Sequence, residues 1–120
     1  VFTSTSVGYI FIPTSSNSLA YQKTTDGGAT WGSEVSITSQ TDIYGFSVWY
    51  DDWTPGDSGT TIHIAYGDQG DDDIFYRSLN TSSDTFGTET AIGTSMTRYD
   101  EDRSHPSIAK STDGDLYISY

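Results

Sequence analysis

Two short segments of this chain concentrate the side chains that do chemistry. GDQGDDD, residues 67–73, sets Asp68, Asp71, Asp72 and Asp73 within six positions. TRYDEDRSH, residues 97–105, adds Arg98, Tyr99, Asp100, Glu101, Asp102, Arg103 and His105. Clustered aspartates are hard oxygen ligands and read as a candidate calcium set, Asp68, Asp71, Asp72 and Asp73. Their spacing lacks the fixed Asp, Gly and final Glu offsets of a helix–loop–helix calcium loop, and a solvated acidic loop is the plainer reading. Paired carboxyls, or a tyrosine with an acidic partner, are what glycoside hydrolysis needs, so Tyr99, Asp100 and Asp102 are the catalytic candidates. Sugar binding without turnover needs an aromatic platform and polar groups at a pocket rim. Tyr44, Asp68, Gln69, Arg98, Tyr99 and Arg103 supply those types. The two histidines, His63 and His105, stand in separate segments and lack a zinc-ligand pattern.

The composition decides what kind of element carries these groups. The chain has 120 residues, 33% hydrophobic, yet 14% aromatic, with nine Tyr, five Phe and three Trp. Large rings can therefore supply much of a core for one ordinary domain. Abundant Ser, Thr, Gly and Tyr favour strands over long helices. The net charge of −12 comes from 14 Asp and 3 Glu against five basic residues. That balance argues against nucleic acid, whose phosphates need Lys and Arg, and against adsorption to an anionic membrane. No apolar run is long enough to span a bilayer. With no Cys, disulfides, thiolate metals and thiol catalysis are excluded. The last residues, DLYISY, read as a strand still in progress, as in a processed chain or part of a longer one.

The elements repeat. Residues 22–37 align without a gap on residues 77–92, matching Thr30 with Thr85, Trp31 with Phe86, Gly32 with Gly87, Glu34 with Glu89 and Ile37 with Ile92. Tyr21 and Tyr76 match one position upstream. YIFIP, TIHIAY and DLYISY are three alternating strands, and GFSVWY and HPSIAK each stand one loop ahead of such a strand. The unit reads as strands A, B, C and D with a period of about 55 residues, and four short antiparallel strands at such spacing mark a β-propeller blade. The fold expected is all-β, with about two and a half blades. Blade one covers 1–38, with a remnant of A near Val1 and Phe2, B at 8–13, C at 18–24 and D at 30–38. Blade two covers 45–92, with A at 45–50, B at 61–67, C at 73–79 and D at 85–92. Strands A and B of blade three occupy 105–120. Closure would come from further blades or from other copies of the chain.

The turn that joins C to D in the first unit is TTDGGATW. Asp26-Gly27-Gly28 is a hairpin signal, Thr24 and Asp26 can bond turn amides, and Trp31 is expected to fold under the turn and bury its ring. The pattern Thr24-x-Asp26-x-Gly28-x-Thr30-Trp31 resembles the Asp-box of sialidases and BNR-repeat proteins. In the second unit Leu79, Thr81 and Ser83 replace Thr24, Asp26 and Gly28, and Phe86 stands for Trp31. The resemblance implies a stabilising role for the box, far from any catalytic face. It also implies that B–C and D–A connections share one face, which receives residues 14–17, 39–44, 67–72 and 93–104. There Tyr44 and Tyr99 are either ligand platforms or filler between blades. The family holds its substrate carboxylate with arginines, one of them in an Arg-Ile-Pro-like strand start. Here that place reads Ser104-His105-Pro106-Ser107-Ile108, with Ser at the arginine position.

These readings lead to a non-catalytic recognition or assembly module of an extracellular, cell-surface or virion protein, binding glycan or a protein partner. The alternatives are a sialidase-like exo-glycosidase completed by other residues, and a structural module of a surface assembly. Trp53, in the long 50–60 loop, reads as a packed anchor or a partner contact. Asn80-Thr81-Ser82 is a glycosylation sequon on a turn.

Overall fold

The computed structural model describes residues 1–70, 72–94 and 105–120. Those residues form antiparallel β-sheets and a single 3₁₀ turn at Asp51–Trp53. The first sheet joins β1 (Gly8–Pro13), β2 (Leu19–Thr24) and β3 (Val35–Ser36) in that order. The second runs β4 (Ile43–Tyr50), β5 (Thr61–Asp68), β6 (Asp73–Asn80) and β7 (Thr85–Phe86), with β8 (Thr90–Gly93) also paired to β6. A hairpin of β9 (Ser107–Lys110) and β10 (Leu116–Ser119) is the third. No sheet closes on itself among the described residues. No helix among them is long and apolar enough to cross a membrane.

The first and second sheets share a register. Tyr21 pairs with Val35 as Tyr76 pairs with Thr90, and Ala20 with Ser36 as Phe75 with Ala91. The Gly32 N–H donates to the Lys23 carbonyl at 2.9 Å, and the Gly87 N–H to the Ser78 carbonyl at the same distance. Every one of these pairs is offset by 55 residues, so the repeat in the sequence is a repeat of hydrogen bonds. The fourth strand is not the continuous one expected at 30–38 and 85–92. It shrinks to β3 in the first sheet and breaks into β7 and β8 in the second. Each is an edge with no outer neighbour to hold it flat, and the β6–β8 pairing carries an irregularity between Ile74 and Phe75. The strand remnant at the chain start is one bridge, Phe2 to Gly8.

Alternation gives each strand two faces. Tyr9, Phe11, Leu19 and Tyr21 of the first sheet meet Phe46, Val48, Ile62, Ile64, Tyr66, Leu79 and Phe86 of the second, and together they form the core. Tyr21 lies 5.6 Å from the Tyr9 ring and 5.8 Å, edge-on, from Phe86. The Tyr9 hydroxyl donates to Asp84 at 2.6 Å, and Lys23 bridges the same carboxylate at 2.6 Å. Arg77 sits over the Phe86 ring at 4.5 Å and donates to the carbonyls of Gly87 and Ile37. The reverse face of the second sheet carries Ser47, Trp49, His63, Ala65 and Tyr76 and receives the β9–β10 hairpin. There the Ile108 N–H donates to the Ser47 hydroxyl, and Ile108 is buried.

The turn after β2 is built by its own side chains. Thr24 Oγ1 accepts from the N–H groups of Gly28 at 2.9 Å and Asp26 at 3.3 Å, and donates to Asp26 Oδ1 at 2.7 Å. Asp26 in turn accepts from the Thr30 N–H at 2.9 Å and the Thr30 hydroxyl at 2.6 Å. The Thr30 hydroxyl and amide, followed by Thr24, hold the Asp26 carboxyl well below the usual carboxylate range. Gly28 has φ +94°, open to glycine and strained for other residues. Trp31 departs from expectation. Its ring turns edge-on to Phe2 at 6.5 Å but stays 37% exposed, because no sheet among the described residues lies over the face it occupies.

Thr24 is buried, so Thr24→Val keeps the shape and strands the Asp26 and Gly28 amides. The expected loss is about 1–2 kcal/mol of unfolding free energy, read by urea denaturation with an unchanged m-value. A change near zero means the turn is held by its glycines alone.

Candidate functional site

The connections cluster at two ends of the stacked sheets. One end gathers residues 14–18 and 37–42 with Gln69, Gly70 and Asp72, and His105 lies beside them. The Ile43 N–H donates to the Asn17 carbonyl at 2.7 Å, the Gln69 N–H to the Asp42 carbonyl at 3.1 Å, and Asn17 Nδ2 to Asp42 Oδ1 at 3.3 Å. Asn17, Asp42 and Asp72 hold φ near +57°, a left-handed conformation that Asn and Asp tolerate best among residues with side chains. The opposite end holds the Thr24–Asp26 turn, the 51–60 loop and the turn after β6.

A cleft of about 270 Å³ opens at the first end, lined by Pro13, Ile43, Tyr44, Gly45, Phe46 and His105. Its shape depends on a bulge. Ile43 pairs with Asp68 and Gly45 with Gly67, so Tyr44 is one extra residue in β4. The bulge turns Tyr44 across Gly67, where a methyl group would overlap its ring, and Gly45 similarly makes room for His105. Tyr44 and His105 meet edge-on with centroids 6.1 Å apart. Of the sequence candidates, Tyr44, Asp68 and Gln69 are thus brought to one end, beside Asn17, Asp42 and His105. Arg98, Tyr99, Asp100, Asp102 and Arg103 lie outside the described residues, as does Asp71.

Asp68 is buried and its Oδ1 accepts from the Gly70 N–H at 2.6 Å, so the carboxylate shapes the loop. Asp68 and Asp73 pair across the β5–β6 hairpin. Among the described residues no three His, Cys, Asp or Glu side chains gather closely enough to hold a metal ion. Calcium at Asp68, Asp72 and Asp73 would need ligands beyond these three. Two broader grooves, about 430 and 420 Å³, share Ser36, Thr38 and Ser39; the first also reaches Arg77 and Glu89. Arg77 is held by the carbonyls named above. Glu89 accepts from the Tyr66 hydroxyl at 2.5 Å, and burial, followed by that bond, pushes the Tyr66 phenol well up.

A polar cluster that strand patterning did not expose lies between the second sheet and the β9–β10 hairpin. Asp51 Oδ1 contacts His63 Nε2 at 2.9 Å and accepts from Lys110 Nζ at 2.5 Å, while Oδ2 accepts from the Thr61 N–H at 2.9 Å. His63 Nδ1 meets the Tyr76 hydroxyl at 2.7 Å, and Lys110 also pairs with Asp57 at 2.8 Å. Thr54 joins them, accepting from Trp49 Nε1 at 2.9 Å and donating to the Lys110 carbonyl at 3.2 Å. His63, read from the sequence as a plain strand residue, is the centre of this network. Trp53 packs edge-on against Trp49 and Tyr50, yet 46% of it is exposed. Partners 5 to 59 residues apart leave no periodic signal; the one hint was a histidine in an otherwise apolar strand.

No protein-family model matches the chain, and neither a curated protein nor a solved structure does so.

Burial works to raise the Asp51 carboxyl, but the Lys110, His63 and Thr61 hydrogen bonds outweigh it and hold the pKa at about 2, against an ordinary 3.8. A depressed carboxylate stabilises the fold above its unfolded value, and that contribution is lost as pH falls through the folded one. Stability is therefore expected to drop between about pH 4 and pH 2. Asp51→Asn should remove that part of the slope and cost about 3 kcal/mol at neutral pH, because Lys110 then lacks its buried partner. Denaturant midpoints across pH, for both proteins, check this.

Proposed function

We propose that the three sheets are propeller-type blades, that the Thr24–Trp31 turn is an Asp-box, and that the chain is a non-catalytic recognition module of an extracellular, cell-surface or virion protein. Its ligand is carbohydrate, bound at the end that carries Tyr44. The observation that carries this reading is the bulge at Tyr44, which spends an irregularity and two close-approach glycines, Gly45 and Gly67, on placing one ring at the mouth of a cleft. A sugar presents an apolar face to such a ring and hydroxyls to its rim. Pro13, Ile43 and Phe46 give the apolar wall, and Gln69, Asn17 and Asp42 stand on the adjoining loops. The equivalent registers of the first two sheets, stacked face to face, support the blade reading. The acidic surface suits a neutral or cationic ligand better than an anionic one. That preference, and the serine at the clamp position, favour binding over sialoside turnover.

The test is a glycan array with the 120-residue chain, followed by calorimetry on the best ligand. The expected result is glycan binding that Tyr44→Ala weakens about tenfold, the equivalent of one ring contact, with a fluorogenic sialoside left uncleaved. Absence of any glycan binding, or binding indifferent to Tyr44→Ala, overturns the assignment. Cleavage abolished by Tyr99→Phe or Asp102→Asn would establish the glycosidase instead.

A further inference from the structure

The turn after β6 keeps its shape by different means from its counterpart after β2. There Thr24 and Asp26 tie the backbone; here Leu79 and Thr81 stand in their places. Three other contacts substitute. The Thr81 N–H and hydroxyl both donate to the Thr60 carbonyl, at 2.9 and 2.7 Å. The Ser83 and Thr85 hydroxyls bond each other at 2.7 Å. Asn80 Oδ1 accepts from the Ser82 N–H at 2.9 Å, which closes an Asx turn.

Those contacts pass over two polar groups. Among the described residues, neither Asn80 Nδ2 nor the Ser82 hydroxyl has a hydrogen-bond partner, and both residues are exposed. These are the two groups that define an N-glycosylation acceptor: an asparagine amide, then any residue but proline, then a hydroxyl. Asn17, the chain's other asparagine, is the contrast. It is followed by Ser18 and Leu19, so the hydroxyl two positions on is missing, and its Nδ2 donates to Asp42 at 3.3 Å. The fold holds one asparagine amide and leaves the other free.

We propose that Asn80 carries an N-linked glycan. The donor is an oligosaccharide on a lipid diphosphate, transferred by an enzyme of a secretory membrane. A bond forms between Asn80 Nδ2 and the anomeric carbon while that carbon's bond to the diphosphate oxygen breaks. The displaced amide proton passes to a base of the transferase, and the lipid diphosphate leaves. The Ser82 hydroxyl is the feature the transferase reads. The fold tolerates the product, because it makes no use of Nδ2, and Oδ1 of the substituted amide still accepts from the Ser82 N–H. Position fits as well. Asn80 ends β6 at the turn end, whereas Asp73 begins it and pairs with Asp68 at the cleft end. Eight residues at about 3.3 Å each span roughly 23 Å, so the glycan crowds the turn end and leaves the Tyr44 cleft open. The inference takes from the functional reading only that the chain enters a secretory compartment; it needs no ligand at Tyr44.

Translation of the 120-residue chain behind a secretion leader, with glycosylating microsomes present, tests it. Protease protection selects the chain that has entered them. The expected result is that this protected chain shifts to one larger species, which peptide-N-glycosidase returns to its first size. Peptide mass spectrometry should place the sugar on Asn80. Asn80→Gln and Ser82→Ala should each abolish the shift, and Asn17→Gln should leave it in place. Protected chain that stays unshifted would overturn the proposal, as would a shift that survives Asn80→Gln or Ser82→Ala. The two readings fail separately. A chain glycosylated at Asn80 that ignores every sugar on an array sinks the carbohydrate assignment alone, and one that binds sugar but stays unshifted sinks this one alone.

Discussion

The packing of Tyr21 between Tyr9 and Phe86 is the contact from which the rest of the structure follows. It joins two sheets that share no backbone hydrogen-bond ladder, so their relative position depends chiefly on side chains, helped by the 37–42 connection and the Ile43 N–H bond to the Asn17 carbonyl. Rings suit this task, since a few of them bury a large area at low rotamer cost. The chain is only 33% hydrophobic, and an aliphatic core of comparable area would need more apolar positions than it has. The Tyr9 hydroxyl would be costly at the centre of such a contact if left unpaired. Asp84 and the Thr81 carbonyl accept from it, and burial together with Asp84 drives the phenol well above its ordinary value, so it remains a donor. Ring packing supplies area, and the hydroxyl sets which turn of the second sheet lies opposite Tyr9.

The two faces of the middle sheet are held by different physics. Toward the first sheet the contact is ring against aliphatic chain, tolerant of small shifts. Toward the β9–β10 hairpin it is a chain of short polar bonds through Tyr76, His63, Asp51 and Lys110, whose geometry is far less forgiving. The hairpin brings only two strands and few large side chains, so hydrogen bonds with charged partners substitute for missing area. Lys110 lies above the usual lysine range because Asp51 and Asp57 both bond it. The clip is thus secure between acid and strongly alkaline conditions, and its strength comes from hydrogen bonds that outweigh the cost of burying the charges.

Much of this fold was legible because its signals are local. Alternation marked β1, β5 and β10, and the repeat placed β2 and β6, each within a residue or two; the turn of Thr24, Asp26 and Gly28 wrote its hydrogen bonds into its residue types. The repeat was legible because Tyr21 and Tyr76, and Gly32 and Gly87, sit at one offset in sequence and in register alike. What failed to show depends on neighbours distant in the chain. The fourth strands were drawn too long because an edge has no partner to enforce its pattern. Trp31 was expected to be buried because its turn was considered without the layer that would cover it. The bulge at Tyr44 leaves no trace in alternation, and the site it aims was found only as a candidate tyrosine beside Asp68 and Gln69.

The loop-rich end, where we propose that the ligand binds, and the polar clip differ in what their side chains already touch. The clip has acid, base and phenol within hydrogen-bond reach, the ingredients of proton transfer. Each is spent on another member of the network, and the hairpin lies over them, so a substrate would have to displace the contact that holds the third layer. The Tyr44 cleft is the converse. Its rings touch edge-on, its wall is apolar, and Gly67 and Gly45 leave room for the Tyr44 and His105 side chains to lie against the backbone. The most reactive cluster is thus closed by the hairpin, while the cleft beside Tyr44 stays open. That division follows from the register, since the clip lies on the sheet face that must be covered and the cleft at the strand ends that need not be.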